Sequence, residues 1–333
     1  MNRRRRTALS PILKLSIGRI GRRYAAHHPL PEGEQSLPFI NALWYSYYRR
    51  HKRRISRVQY AACAEAFLEG YCTQLGIDKP DGVLIPTTKQ VAAVITVFNE
   101  EKTLGKVLEQ LRRLPLQEVI VVINGSTDKS FAIARQSSPA TIIHYPNAFG
   151  HDVGRSIGAR LSTADMVLFL DGDIVVKAEQ LIPFISAMDR GADVALNDLT
   201  PFIGPFANRD SVTMMKEFLN TIQGRPDLKS NSMTAIPHML SRKAIERIGA
   251  ANLVVPPKAQ SLAIKLGLTI CAPASIDVIK ENKLTRLNTG SFNPVSNLIL
   301  GDHLEAMHML MKIQDGRLGF GDPIRERSHL RRD

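Results

Sequence analysis

Met166-Val-Leu-Phe-Leu-Asp-Gly-Asp-Ile-Val175 decides how the chain is to be read. Five large apolar residues run straight into two carboxylates separated by one glycine. An apolar run of this length fits a strand buried in a mostly parallel sheet. Asp171 and Asp173 then stand where the strand leaves the sheet, and in open α/β sheets ligands bind outside the strands' carboxyl ends. Gly172 lets the backbone turn sharply and approach a ligand closely. Two hard oxygen donors at that edge suit Mg2+ or Mn2+ shared with a diphosphate. Asp-Gly-Asp by itself is also a common acidic turn, so its surroundings decide.

Working outward, Val91–Val97 is a β-branched apolar strand, followed by Phe98-Asn-Glu-Glu101 and a helix over 103–113. Val119–Ile123 is the next strand, followed by Asn124-Gly-Ser-Thr-Asp128 and a helix to Gln136. Thr141–Tyr145 is a short third strand, Gly154–Leu161 a helix and Met166–Leu170 the fourth strand. Strands alternating with helices at this spacing argue for a parallel sheet with right-handed crossovers. Three polar loops therefore fall at carboxyl ends of strands. Asn124 and Ser126 place amide and hydroxyl groups at a helix start, which suits a ribose or base. Arg155, in Gly150-His-Asp-Val-Gly-Arg155, suits a phosphate. Further on, Ala192–Leu196 reads as a strand ending in Asn197-Asp198, a candidate contact to acceptor or donor sugar, and His238 reads as structural. The Pro/Gly-rich stretch Thr200–Phe206 reads as a loop able to close over substrate.

The leader has a different character. Residues 1–60 hold 14 of the 44 Lys+Arg and 2 of the 31 Asp+Glu, a net of +12, and the other 273 residues balance 30 against 29. Arg3–Arg6, Arg22-Arg23, Arg49-Arg50 and Lys52-Arg53-Arg54 interleave with Tyr24, Trp44, Tyr45, Tyr47, Tyr48 and Tyr60. This mixture suits peripheral contact with an anionic membrane. It suits single-stranded nucleic acid less well, and it also fits a basic helical arm packed on the main domain. Apolar runs are too short for a transmembrane helix, and Lys14, Gly18 and Arg19 interrupt any secretory signal. Cys63, Cys72 and Cys271 lack metal-ligand spacing and a disulfide framework, so a cytoplasmic, reducing location is the expectation.

Taken together, Val97-Phe-Asn-Glu-Glu101, Val121-Val-Ile-Asn-Gly-Ser-Thr-Asp128, Gly154-Arg-Ser-Ile-Gly-Ala-Arg160 and Phe169-Leu-Asp-Gly-Asp173 resemble glycosyltransferase family 2, nucleotide-sugar enzymes with the GT-A fold. Ser241–Gly249 is similar to the family's acceptor-domain helix. The resemblance implies an α/β, GT-A-type, mostly parallel sheet flanked by helices, preceded by a basic N-terminal helical extension over 1–85. Residues 86–190 would form the nucleotide-sugar half, and 191–333 the acceptor half with a C-terminal helix. It implies a sugar transferred from a nucleotide-diphosphate-sugar donor, of UDP or GDP type, to an unidentified acceptor with Mn2+ or Mg2+. Phe98, Asn99, Glu100, Asn124, Ser126, Arg155 and Asp171 would bind the donor, and Asp171 and Asp173 the metal.

Two departures matter. Ile123-Asn124 stands where the family usually has consecutive acids, which leaves the base open. Val254–Leu262, where inverting members usually carry the acidic general base, has no acid. Attack on an anomeric carbon normally needs a base near the acceptor. Either the base lies elsewhere, or the acceptor is already ionised, or configuration is retained. Asp302, in Gly301-Asp-His-Leu-Glu305, is the candidate base, and His303 the candidate third metal ligand by analogy with retaining relatives. His303 and His308, five apart on a helix, point about 140° away from each other and do not share an ion. A sugar-1-phosphate nucleotidyltransferase is the second enzyme reading, but Phe98-Asn-Glu-Glu101 lacks the Gly-rich basic loop that chemistry needs. A nucleic-acid-binding protein acting through the arm leaves the three strand-end loops unexplained.

Overall fold

Seven strands form one sheet in the order β3-β2-β1-β4-β6-β5-β7. They are β1 Val91–Val97, β2 Glu118–Asn124, β3 Thr141–Tyr145, β4 Met166–Asp171, β5 Val194–Asn197, β6 His238–Ser241 and β7 Ile270–Ala274. The computed structural model describes residues 11–137, 139–278 and 294–322. β1 pairs in parallel with β2 and β4, β2 with β3, and β5 with β7. β6 alone runs antiparallel to its neighbours β4 and β5. The expected strands are present, with ends moved by one or two residues. β6 and β7 are additions that only four or five residues each make hard to see in advance.

Among the described residues the helices are α1 Pro11–His27, α2 Ser36–His51, α3 Tyr60–Leu75, α4 Leu104–Arg112, α5 Ser130–Gln136 and α6 Val153–Leu161. They continue with α7 Ala178–Asp189, α8 Ser211–Ile222, α9 Arg242–Ile248, α10 Pro256–Lys265 and α11 Pro294–Ile313. α6 lies unusually close to the sheet. A Cβ on Gly158 would stand 2.3 Å from a Val94 methyl, and one on Gly154 2.8 Å from the Thr96 methyl. Glycine at these two helical positions lets α6, with Arg155 between them, approach the β1–β4 edge. α9 starts where Ser241 accepts the Ala244 N–H at 3.0 Å, a serine N-cap at the end of β6.

Helices α1 to α3 share one core with the sheet. Ile17, Trp44 and Phe67 belong to the same buried cluster as Ile95, Leu108 and Ile185. Trp44 Nε1 donates to the Tyr60 hydroxyl at 2.8 Å, which donates to the Leu84 carbonyl at 3.2 Å. The Asn41 amide clamps the segment before β1, donating to the Thr87 carbonyl at 3.0 Å and accepting the Ile85 N–H at 2.6 Å. Tyr24, Tyr47 and Tyr48 pack their rings around Trp44 and Phe67. This corrects one expectation: rings turned inward are not at headgroup depth and do not stack on bases. Arg3–Arg6 lie outside the described residues. Among the described residues no helix is long and apolar enough to cross a membrane.

Candidate active site

From β1 the chain builds β2 and β3 on one side and then returns to β4 on the other. That reversal opens a crevice at the carboxyl ends of β1 and β4, where ligands of open α/β sheets bind. Thr96 and Asp171 are register partners across it. The Thr96 hydroxyl donates to Asp171 Oδ1 at 2.7 Å, and the Gly172 N–H donates to the Thr96 carbonyl at 2.8 Å. Glu100 lies against Gly172, its Cβ and Cγ both 3.4 Å from where a Cβ would be. The first loop is thus brought to the Asp-Gly-Asp turn, and Phe98 stands exposed at the rim.

The first two loops are cross-linked by their own polar groups. Asn99 adopts a left-handed backbone (φ 57°), which asparagine tolerates better than most side chains. Its Oδ1 accepts the Thr127 N–H at 2.8 Å, and its own N–H donates to Ser126 Oγ at 3.0 Å. The Glu100 N–H donates to Ser130 Oγ and the Glu101 N–H to Asp128 Oδ2, both at 2.9 Å. Asn124 reaches sideways: its Oδ1 accepts the Phe149 N–H at 2.9 Å and its Nδ2 donates to the Gly150 carbonyl at 2.8 Å. Asn99, Ser126 and Asn124, expected to face the nucleoside, therefore brace the platform.

Arg155, expected near the diphosphate, is held between carboxylates. It is 3% exposed, with Nη1 2.8 Å from Asp152 Oδ1 and 3.3 Å from the Met233 carbonyl. Its Nη2 donates to both Asp171 oxygens, at 3.2 and 3.3 Å. Sequence reading missed Asp152, whose spacing of three before Arg155 on a helix start was the available signal. Burial pushes the Asp171 pKa up, but the Arg155 charge and the Thr96 hydroxyl outweigh it and hold the carboxyl below its usual range. Asp171 is thereby kept ionised and oriented.

α11 packs on α10 and supplies the carboxylates that α10 lacks. Lys258 Nζ is 3.1 Å from Glu305 Oε1, and Asp302 lies one turn earlier on α11. Asp302 also feels the charges of Asp152 and His151 from the loop before α6. Burial first, then Asp152 and Glu305, raise its pKa to about 6. Glu305 was not anticipated; its i+3 relation to Asp302 was the legible clue. Gln260 of α10 is buried and structural, accepting the Met233 N–H at 2.9 Å and donating to Asn220 Oδ1 at 2.8 Å.

His303 is corrected as a metal ligand. Its ring is buried, Nδ1 lies 2.6 Å from the Ile299 carbonyl, and burial with the Lys216 charge lowers its pKa to about 4. It belongs to the α8–α11 packing. Among the described residues, no three His, Cys, Asp or Glu side chains gather as a metal cage. The Asp171–Asp173 pair still fits Mg2+ or Mn2+, since such ions are commonly held by one or two carboxylates with substrate phosphates completing the shell. Asn197 is fully buried and bonds the carbonyls of Ile236 and Ile276, so it is not a sugar contact. Asp198 accepts from Thr200, Asn231 and Ser275, which ties the Pro/Gly-rich stretch to the segments before β6 and after β7. His238 is structural as expected, buried and stacked on Phe169, with burial driving its pKa down to about 3. A cavity of about 180 Å³ beside Lys89, Asp165 and Arg242 lies at the opposite, amino-terminal edge of β4. Arg242 is fully engaged there with the carbonyls of Ser162 and Ala164.

Residues 92–249 match the family model described as glycosyl transferase family 2. The 4,4'-diaponeurosporenoate glycosyltransferase of Staphylococcus haemolyticus is 30% identical over 105 residues, covering 30% of this chain and 28% of that protein. Glycosyltransferase AglJ of Haloferax volcanii is 25% identical over 114 residues, covering 34% of this chain and 37% of that protein. The matches thus span about a third of the length of these curated relatives. Glucosyl-3-phosphoglycerate synthase from Mycobacterium tuberculosis, solved with Mn2+, UDP and phosphoglyceric acid, superimposes with a TM-score of 0.48 at 16% identity, covering 71% of this chain and 80% of that one.

Proposed function

Residues 92–249 of this chain are a glycosyltransferase family 2 domain, and on that premise we propose that the protein is a metal-dependent glycosyltransferase. It moves a sugar from a nucleotide-diphosphate-sugar donor, of UDP or GDP type, to an acceptor hydroxyl. The observation that carries this reading is the convergence of the β1 and β4 loops at the switch point, with Glu100 against Gly172 and Thr96 and Arg155 holding Asp171. Phe98 and Glu100 line the donor side, while Asn99, Ser126 and Asn124 stiffen the loops behind them. Asp171 and Asp173 are the residues to hold Mn2+ or Mg2+ together with the donor diphosphate. Such an ion supplies positive charge against the negative charge developing on a departing nucleoside diphosphate.

Asp302 is the acceptor base in this reading. A carboxyl with a pKa of about 6 is ionised at neutral pH and is a stronger base than an ordinary aspartate. It comes from α11 beside α10, the helix whose start carries no acid. A thermal-shift series with UDP-glucose and GDP-mannose, each with and without Mn2+, tests the donor site. A nucleotide sugar present at about a hundred times its Kd stabilises by roughly 2.7 kcal/mol. The shift should need the ion and vanish in Asp171→Ala/Asp173→Ala. A double variant that responds like the native chain refutes the metal and donor assignment.

A further inference from the structure

The outer face of α1 is not used by the donor or acceptor chemistry, and its chemistry is specific. Leu13, Ile17, Ile20, Gly21 and Tyr24 form the inward stripe, packed on α3 and the core. Rotation of the helix is fixed by close backbone approach. A Cβ on Gly21 would stand 2.2 Å from the Phe67 carbonyl oxygen, and one on Gly70 of α3 2.1 Å from that of Gly18. At about 100° per residue, the positions opposite that stripe are Ile12, Leu15, Arg19, Arg22, Arg23 and Ala26. All six are exposed. Ile12 is 81% and Leu15 64% exposed.

This face is apolar at its first turns and cationic at its last. α1 carries no acidic residue, and its one ion pair among the described residues, Lys14 with Glu69, lies off the outer stripe. Among the described residues Arg19, Arg22 and Arg23 pair with no carboxylate. The same holds for Arg49, Arg50, Lys52, Arg53 and Arg54 at and after the end of α2. Arg23 and Arg54 both act on the Tyr47 phenol, so these two helix ends share one basic region. Val58, just beyond, is 61% exposed.

We propose that the outer face of α1 seats the protein on an anionic lipid surface, with Ile12 and Leu15 entering the headgroup–acyl boundary and Arg19, Arg22 and Arg23 lying against acidic headgroups. Charge complementarity selects an anionic partner, and the exposed leucine and isoleucine select one with an apolar phase. A nucleic acid would use stacking rings, and the rings of this region are turned into the core. Interfacial helices combine these two features, an apolar stripe with basic flanks.

Sedimentation of the full chain with phosphatidylcholine vesicles, with and without phosphatidylserine, tests the proposal. The chain should pellet with the anionic vesicles and release as salt rises. Leu15→Glu should lower partitioning tenfold or more, since a buried leucine is lost and a like charge gained. Arg19→Gln/Arg22→Gln/Arg23→Gln should lower it on the order of a hundredfold, at roughly fivefold per charge. Both variants change exposed residues, and native melting curves check that folding is intact. Equal pelleting with neutral vesicles overturns the proposal, as does native binding by Leu15→Glu. It is equally overturned if a single-stranded oligonucleotide displaces the chain from vesicles and binds Leu15→Glu unchanged.

Discussion

Replacing Arg155 by methionine removes one guanidinium and strands two carboxylates. Arg155 is 3% exposed, and its partners' side chains are 10% exposed for Asp152 and 29% for Asp171. Breaking a buried ion pair by deleting one partner typically costs about 3–5 kcal/mol. Met keeps most of the volume, so the loss is electrostatic rather than a cavity. In a chain of this size that corresponds to a melting point lower by on the order of 5–10 °C. The pH dependence separates this cause from simple misfolding. In the native chain Asp171 has a depressed pKa, so its contribution is present above the unfolded carboxylate pKa and is lost as pH falls through the folded one. In Arg155→Met burial is no longer offset: the Asp152 pKa, already raised by burial in the native chain, rises further and that of Asp171 becomes raised, a penalty that is largest at neutral pH and relieved on protonation. Urea melts across pH 4 to 8 should therefore show the gap between the two proteins narrowing as pH falls. Adding Asp152→Asn to Arg155→Met should recover part of the loss, because it neutralises one of the stranded charges. A gap under about 1 kcal/mol, or one independent of pH, refutes the reasoning.

The acceptor base and the close packing of α6 give two further tests. Asp302→Asn should lower turnover about 10²–10⁴-fold while leaving donor affinity nearly intact. Native turnover should fall as pH drops through about 6, where Asp302 takes up its proton, and the residual activity of the variant should lack that limb. Unchanged turnover removes Asp302 from the mechanism. Gly158→Ala should destabilise the protein by about 1–3 kcal/mol, although alanine favours a helix by about 1 kcal/mol, because the new Cβ stands 2.3 Å from a Val94 methyl. A stabilised variant in denaturant melts shows that Val94 moves aside at little cost.

Much of the sheet over residues 91–171 was legible because its strands are apolar, rich in β-branched residues and end in polar turns. β1 and β4 are buried in the centre of the sheet, so their sequences are continuous apolar runs that admit few other readings. β6 and β7 are short and owe their form to neighbours, which local pattern does not reveal. Arg155 was read as a partner for phosphate, and its bonds to Asp152 and Asp171 were not foreseen. A cation in a polar loop looks like a phosphate ligand until the fold brings Asp152 and Asp171 to it from two directions. Asn99, Asn124 and Ser126 show the same limit: their hydrogen-bonding capacity is readable, but whether a neighbouring N–H already uses it is not. The leader's aromatic residues were misread for a different reason. Trp44, Tyr47 and Tyr48 have the i, i+3, i+4 spacing of an inward helical stripe, and the many arginines around them drew attention to the surface instead.

The shared core of α1–α3 and the sheet has a consequence for how the chain comes to be made. The leader leaves the ribosome before the sheet, with Ile17, Ile40 and Trp44 among the residues to be covered. Tyr60 and Phe67 of α3 cover part of that apolar surface, and the cluster they share extends to Ile185 of α7, some 110 residues after the end of α3. At cellular synthesis rates that interval is roughly 5–20 s. For that time the most basic part of the protein holds a core that α3 covers only in part, and the cluster is completed when the sheet arrives.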